Sequence, residues 1–290
     1  MKTSGFVALL LLVFSTIGAS AKKNAIPESV IKVGYTYHHL SQRNDGEVVA
    51  NDFNYLLLAN AECSKYYNYN NEYLDSLDST PAGRKLSRQL MSIGVEQYLK
   101  NGDDSAFPHY KGQIYVFKSL KEGITTVYDT YGLGEQGYYS EPFSEIEWNV
   151  SDSVKNILGY ECLMAETDYH GRHWTAWFSP DVAVADGPWK LCGLPGLILE
   201  ASESTGQHSF VATGIENSTQ KIFPIYSPEK YDKMKRIDML KAYAAYRKGS
   251  DAYARALIMD TPDGSHVDLK APAVPKENSL NIDFLETDYH

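Results

Sequence analysis

The chain has 290 residues, 43% of them hydrophobic, and a formal net charge of −10. That is enough apolar material for one large domain. The acidic balance, with no basic run longer than Lys233-Met234-Lys235-Arg236, argues against nucleic acid as a partner.

Residues 1–21 read as a secretory signal, with Lys2 as the positive end, an apolar centre over 6–17 and the small residues Ala19-Ser20-Ala21 at the cleavage site. No later segment offers the roughly 20 apolar residues of a transmembrane helix, so the mature chain is expected in the periplasm or cell envelope without a membrane span. Residues 22–260 should form a single domain. Residues 261–290, rich in Pro, Asp and Asn, should be an irregular tail, ordered only near 282–285.

Within the domain, 32–38 reads as a strand and 52–63 as a longer one. Thr80-Pro81 then opens a helix to about residue 100 that Asn101-Gly102 closes, with Leu86, Leu90 and Ile93 spaced to cover one sheet face. Residues 113–119 and 123–130 suit a hairpin. Ile146, Trp148 and Val150 alternate with polar residues, as do Tyr160, Cys162 and Met164, and a turn at 168–171 leads into 172–178. Residues 197–202 and 208–214 form the next pair of strands. Ser227-Pro228 should then cap a second helix with the stripe Met234, Ile237, Leu240 and Ala244, stopping near Gly249, and 251–259 a short third helix. The class is α+β: a curved antiparallel meander with an inserted helix and C-terminal helices. A sheet wrapped on a helix in this way is analogous to the half-barrel of periplasmic lipoprotein carriers.

The most specific stretch is the loop before 197–202. Gly187, Gly193 and Gly196 allow backbone that a side chain would block, while Pro188 and Pro195 fix φ, so the loop is rigid and folded back. Its Gly193-Leu194-Pro195-Gly196-Leu197-Ile198 resembles the signature of the GLPGLI family of exported Bacteroidetes proteins. Gly159-Tyr160-Glu161-Cys162-Leu163-Met164-Ala165, Arg172-His173-Trp174-Thr175-Ala176-Trp177-Phe178 and Gly187-Pro188 lie where that family has its other conserved elements. The resemblance spans roughly residues 30–212, with a weaker match at Asn281-Ile282-Asp283-Phe284. It implies an exported protein and brings no catalytic residues with it.

Three sets of residues are candidates for chemistry. Trp177, with Pro188, Trp189, Gly193, Leu194, Pro195 and Gly196, would make an apolar rim for an envelope protein or a hydrophobic small ligand if Trp177 points away from the core. His170 and His173 would ligate copper or zinc if the Gly171 turn brings them together, since strand residues three apart face opposite ways. In an oxidising compartment three cysteines permit one disulfide, for which Cys162 and Cys192 are the expected pair, leaving Cys63 as a buried thiol. Catalytic motifs are not found: G-x-S-x-G and H-E-x-x-H are missing, and the S-x-x-K matches at Ser29 and Ser227 lack their companions. Carboxylate pairs such as Glu145 and Glu147 share a strand face without an evident cleft. The sequence therefore reads first as a non-enzymatic binding or assembly factor. The alternatives are a periplasmic metal-binding protein and a hydrolase of envelope polymers.

Overall fold

The computed structural model describes residues 26–290 except 44, 104, 107–113, 133, 144–145, 254–257, 261–265, 269–279 and 282. Residues 1–21, expected as a signal, and Glu145 lie outside the described residues.

Most of the chain is one open sheet. In sequence its strands are β1 (Ile31–Arg43), β2 (Val48–Ala59), β3 (Cys63–Asn68), β4 (Tyr115–Ser119), β5 (Ile124–Thr130), β6 (Gln136–Pro142), β7 (Asn149–Ile157), β8 (Tyr160–Tyr169), β9 (Arg172–Ser179), β10 (Leu197–Glu203), β11 (His208–Asn217) and β12 (Asp232–Lys233). In space the order is β12-β6-β5-β4-β3-β2-β1-β11-β10-β9-β8-β7, antiparallel except where β12 runs parallel to β6, and β15 (Leu280–Asn281) adds to β1. A separate pair, β13 (Ile258–Asp260) and β14 (His266–Asp268), forms a two-stranded ribbon. The meander expected from the alternating pattern is present, with the sheet more dominant than the expected class implied.

The sheet is strongly curled. Eight strand-to-strand steps separate β6 from β9, roughly 38 Å if the sheet were flat. Yet Glu141 on β6 lies 3.2 Å from His170 in the β8–β9 turn. Register shifts at Gly34/Tyr35, Ile198/Glu200 and Val150/Val154 supply local bends of the kind that bulges produce. The enclosed face holds the main core, from Tyr35, Leu57 and Tyr66 across to Trp174, Phe178 and Phe210. Because β3 is buried on both faces, Tyr66 enters this core while Cys63 and Tyr67 join a smaller outer cluster with Leu58, Tyr115 and Ile222.

The expected long strand over 52–63 divides in two at a turn where the Asn60 side chain accepts from the Glu62 and Cys63 N–H groups. A helix unanticipated from sequence follows β3: α1 (Tyr69–Asp78), capped by the Asn68 side chain accepting from Asn70 and Asn71. Helix α2 (Pro81–Asn101) starts on Thr80 and ends on Gly102 as expected. It does not cover the sheet, however. It packs on α1 and leaves Leu86, Ile93 and Leu99 exposed.

The second expected helix begins late. Ser227 makes no side-chain cap bond, Pro228–Lys230 is a single 3₁₀ turn, and α3 (Arg236–Tyr253) runs through Gly249. Its inward residues are Met239 and Ala244, with Leu240 and Tyr243 partly buried, while Ile237 faces solvent. Residues 283–290, expected as tail, have no regular backbone but are docked, with Glu286 and Tyr289 buried.

Candidate functional site

Residues 180–196, between β9 and β10, are a plug inside the curl rather than a rim. Trp189, Leu191 and Leu194 are at most 1% exposed. The plug and the strand it feeds, β10, are fixed at three points. The Tyr35 hydroxyl donates to the Ile198 carbonyl at 2.6 Å and Trp148 Nε1 to the Cys192 carbonyl at 2.8 Å. The wholly buried Lys118 ammonium pairs with Asp186 and donates to the Gly187 carbonyl at 2.8 Å. Gly196 has φ of 155°, and a Cβ there would collide with the Ser179 carbonyl, which explains the glycine on physical grounds.

This geometry corrects three expectations. Of the proposed rim only Gly193 and Pro195 are exposed, while Pro188, Trp189, Leu194 and Gly196 are buried. Trp177 points to the other face, where the Lys155 ammonium lies 4.5 Å from its ring centroid, so it makes no patch with Trp189. His170 and His173 also part company. His170, with φ of 52° at the turn, is buried against Glu141 and Asp288, whereas His173 faces solvent and pairs with Asp168 at 2.8 Å. Finally, Cys63, Cys162 and Cys192 are all free and buried. The Cys162 thiol donates to the Tyr160 carbonyl on its own strand, and burial pushes the Cys192 thiol up to about 12.

Where the two ends of the sheet meet, charged groups join them. Lys190 Nζ lies 2.7 Å from Glu141 and 2.6 Å from Glu286, and none of the lysine is exposed. Arg236 at the start of α3 binds Glu286 and Asp288. Burial alone would raise the Glu141 carboxyl, but the His170 hydrogen bond and the Lys190 ammonium outweigh it and hold it at about 2. Beside this, Arg172 reaches Glu203, Asp283 and the Leu285 carbonyl. Burial and the Arg172 charge push His208 down to about 4, so it is neutral at pH 7. Its Nδ1 then accepts from the Tyr37 hydroxyl at 2.6 Å and its Nε2 donates to Asp283 at 3.0 Å. Residues 283–288 are thus a strap tied by two arginines, a lysine and two histidines.

His170, Glu286 and Asp288 place one ligand atom each within 4.8 Å of one another, the geometry of a metal group. The acceptors are already engaged by Lys190 and Arg236, so a metal ion there would first have to displace an ammonium or a guanidinium.

Under the strap and α3 lies a cavity of about 330 Å³. Its sheet wall is Tyr37, His39, Phe53, Tyr55 and Asp129, and Trp189 forms part of the floor. Leu240, Tyr243 and Arg247 come from α3, with Phe284, Leu285 and Tyr289 from the strap. The rings support one another: Tyr37 stacks on Phe210 at 4.8 Å, Tyr55 on Tyr66 at 4.6 Å, and Tyr243 meets Phe284 edge to face at 5.7 Å. A second depression, about 390 Å³, lies on the outer surface among Asp78, Arg84, Arg88 and Lys230 and has no aromatic walls.

The cavity residues were hidden in sequence by distance, since β1, β2, β5, α3 and the strap converge only after the sheet curls. Two signals pointed that way: the 22 tyrosines, and the alternation Tyr35, Tyr37, His39 that puts three rings on one face of β1.

The architecture defines an open, curled antiparallel sheet whose ends are joined by ion pairs over a plugged interior. Solved structures of PNGF-II are among those that align with this chain. One has a TM-score of 0.50 at 14% identity over 76% of this chain and 34% of that one, and a second has 0.48 at 13% over 76% and 33%. The chain thus spans about a third of PNGF-II's length, and the likeness is one of fold. MucB aligns less well, at a TM-score of 0.28 and 10% identity over 66% of this chain and 54% of its own. A family model described as a protein of unknown function, Porph_ging, matches residues 166–200, the segment from late β8 through the plug into β10. No curated protein matches the sequence. Among the described residues no helix is long and apolar enough to cross a membrane.

Proposed function

We propose that this is an exported envelope protein of the GLPGLI type that works by binding, holding a small, largely apolar ligand in the cavity between the sheet, α3 and the strap. The observation that carries the reading is the lining. A cavity of about 330 Å³ with walls mainly of aromatic and aliphatic side chains and few polar groups has the size and chemistry of small-molecule sites. The match of residues 166–200 to a family of unknown function and the signal-like residues 1–21 support an envelope role. Binding is favoured over hydrolysis because the cavity carboxylate of Glu286 is held by Lys190 and Arg236.

Protein purified from its own envelope under native conditions is expected to carry a stoichiometric apolar small molecule, released by organic solvent and seen as a mass difference between native and denaturing spectra. Identical masses in both, for protein never exposed to detergent, would count against the reading.

A further inference from the structure

The cavity is not uniformly apolar, and among the described residues one of its carboxyl groups, that of Asp129, makes no ion pair. Asp129 sits on β5 two residues from the fully buried Val127, so its side chain projects to the enclosed face. Its cross-strand partner is Gly137, which has no side chain to cover it. Among the described residues its only hydrogen bond comes from the Thr130 N–H at 2.7 Å, and it makes no ion pair. The neighbouring cations are engaged elsewhere, Lys190 with Glu141 and Glu286, Arg236 with Glu286 and Asp288. Among the described residues Glu286, of the same sign, acts on Asp129, and the phenols of Tyr55, Tyr139 and Tyr243 are close enough to feel its charge.

A carboxylate set among ring faces, with no cation paired to it among the described residues, is complementary to one kind of ligand group. Ring quadrupoles attract a cation over their faces and the carboxylate supplies its counter-charge. We propose that the cavity recognises an organic cation, an amine or quaternary ammonium group on an apolar body, with Asp129 as the counter-ion and Tyr55, Phe53 and Tyr243 as the surrounding rings. This rests on the binding function above and specifies the ligand's chemical class. Burial, with Glu286 adding to it, pushes the Asp129 carboxyl up to about 7, which is what a carboxylate awaiting a counter-charge would show.

The test is calorimetric titration of the full mature chain at pH 8 with 4-phenylbutylamine, an ammonium at that pH, and with its uncharged analogue 4-phenylbutan-1-ol. The amine is expected to bind about tenfold more tightly. In Asp129→Asn the two should agree within about twofold, with alcohol affinity unchanged. If Asp129→Asn fails to fold, Phe53→Leu on the partly exposed wall should weaken the amine more than the alcohol. Equal binding of both compounds by the wild type, or a preference that survives Asp129→Asn, overturns the cation proposal and leaves the cavity reading standing. Failure of both compounds to bind overturns the two together.

Discussion

Lys190→Met is expected to destabilise the protein by about 3–5 kcal/mol, the cost of leaving buried carboxylates without their counter-charge. Methionine keeps the length and apolar stem of lysine, so the loss reports the ammonium rather than a cavity. With it gone, Glu141 and Glu286 face each other where the ends of the sheet meet, with only Arg236 and His170 to offset them. The effect should also appear in acid. Glu141 sits at about 2 when folded, below the ordinary value of about 4.3. A carboxyl depressed in this way stabilises the fold above its unfolded pKa, and that stability is lost as pH falls through 4 toward 2. Lys190→Met should therefore be weaker at neutral pH and decline less steeply in acid. Urea titrations at pH 7 and pH 4 measure both. A loss under about 1 kcal/mol at pH 7 would mean that the ion pairs do not hold the sheet ends together.

The two tryptophans expected to share a rim should behave very differently. Trp189→Ala removes a side chain 1% exposed, packed 5.6 Å from the Trp174 ring and 5.9 Å from Tyr169. It should cost about 3–5 kcal/mol, from lost burial and the void left behind. Trp177→Ala removes a partly exposed ring under Lys155, a contact worth about 1 kcal/mol or less at such sites. Chemical denaturation of the two variants side by side separates a plug from a rim. Equal, small losses would return the 187–196 loop to the surface.

Much of the fold was legible because its signals are local. The period-two patterns of β8, β9 and β11, and the Thr80-Pro81 and Gly102 ends of α2, are each set by a few neighbouring residues. Helix α1 was missed because its residues, Tyr-Asn-Asn-Glu-Tyr-Leu-Asp-Ser-Leu-Asp, favour turns. It forms on the Asn68 cap, with Leu74 buried and the Tyr115 hydroxyl of the outer cluster donating to Asp75. Ser227-Pro228 looks like a helix start, but Ser227 adopts φ of 49° and β12 intervenes before α3.

The site was less legible for a different reason. The glycine-proline loop stands out in the sequence, but it is buried and serves the interior rather than a rim. Gly187 and Gly196 let the plug approach Ile198 and Ser179 closely, and Lys118 binds it from β4, five strand steps from β10. His170 and Lys190 are ordinary residues until the curl carries Glu141 to them. Likewise nothing near Asp129 in sequence marks it as a lone carboxylate, because its environment comes from β1, β2, α3 and the strap.

The cavity is tested most directly by titrating N-phenyl-1-naphthylamine, a probe that brightens in apolar sites, into the wild type and Leu240→Trp. Leu240 is partly buried on α3 and a larger ring there fills the cavity from its helical wall. Saturable, single-site brightening in the wild type, abolished in a Leu240→Trp variant whose melting temperature is unchanged, is the expected result. No brightening in the wild type, or equal brightening in the filled variant, would contradict a ligand site beneath the strap.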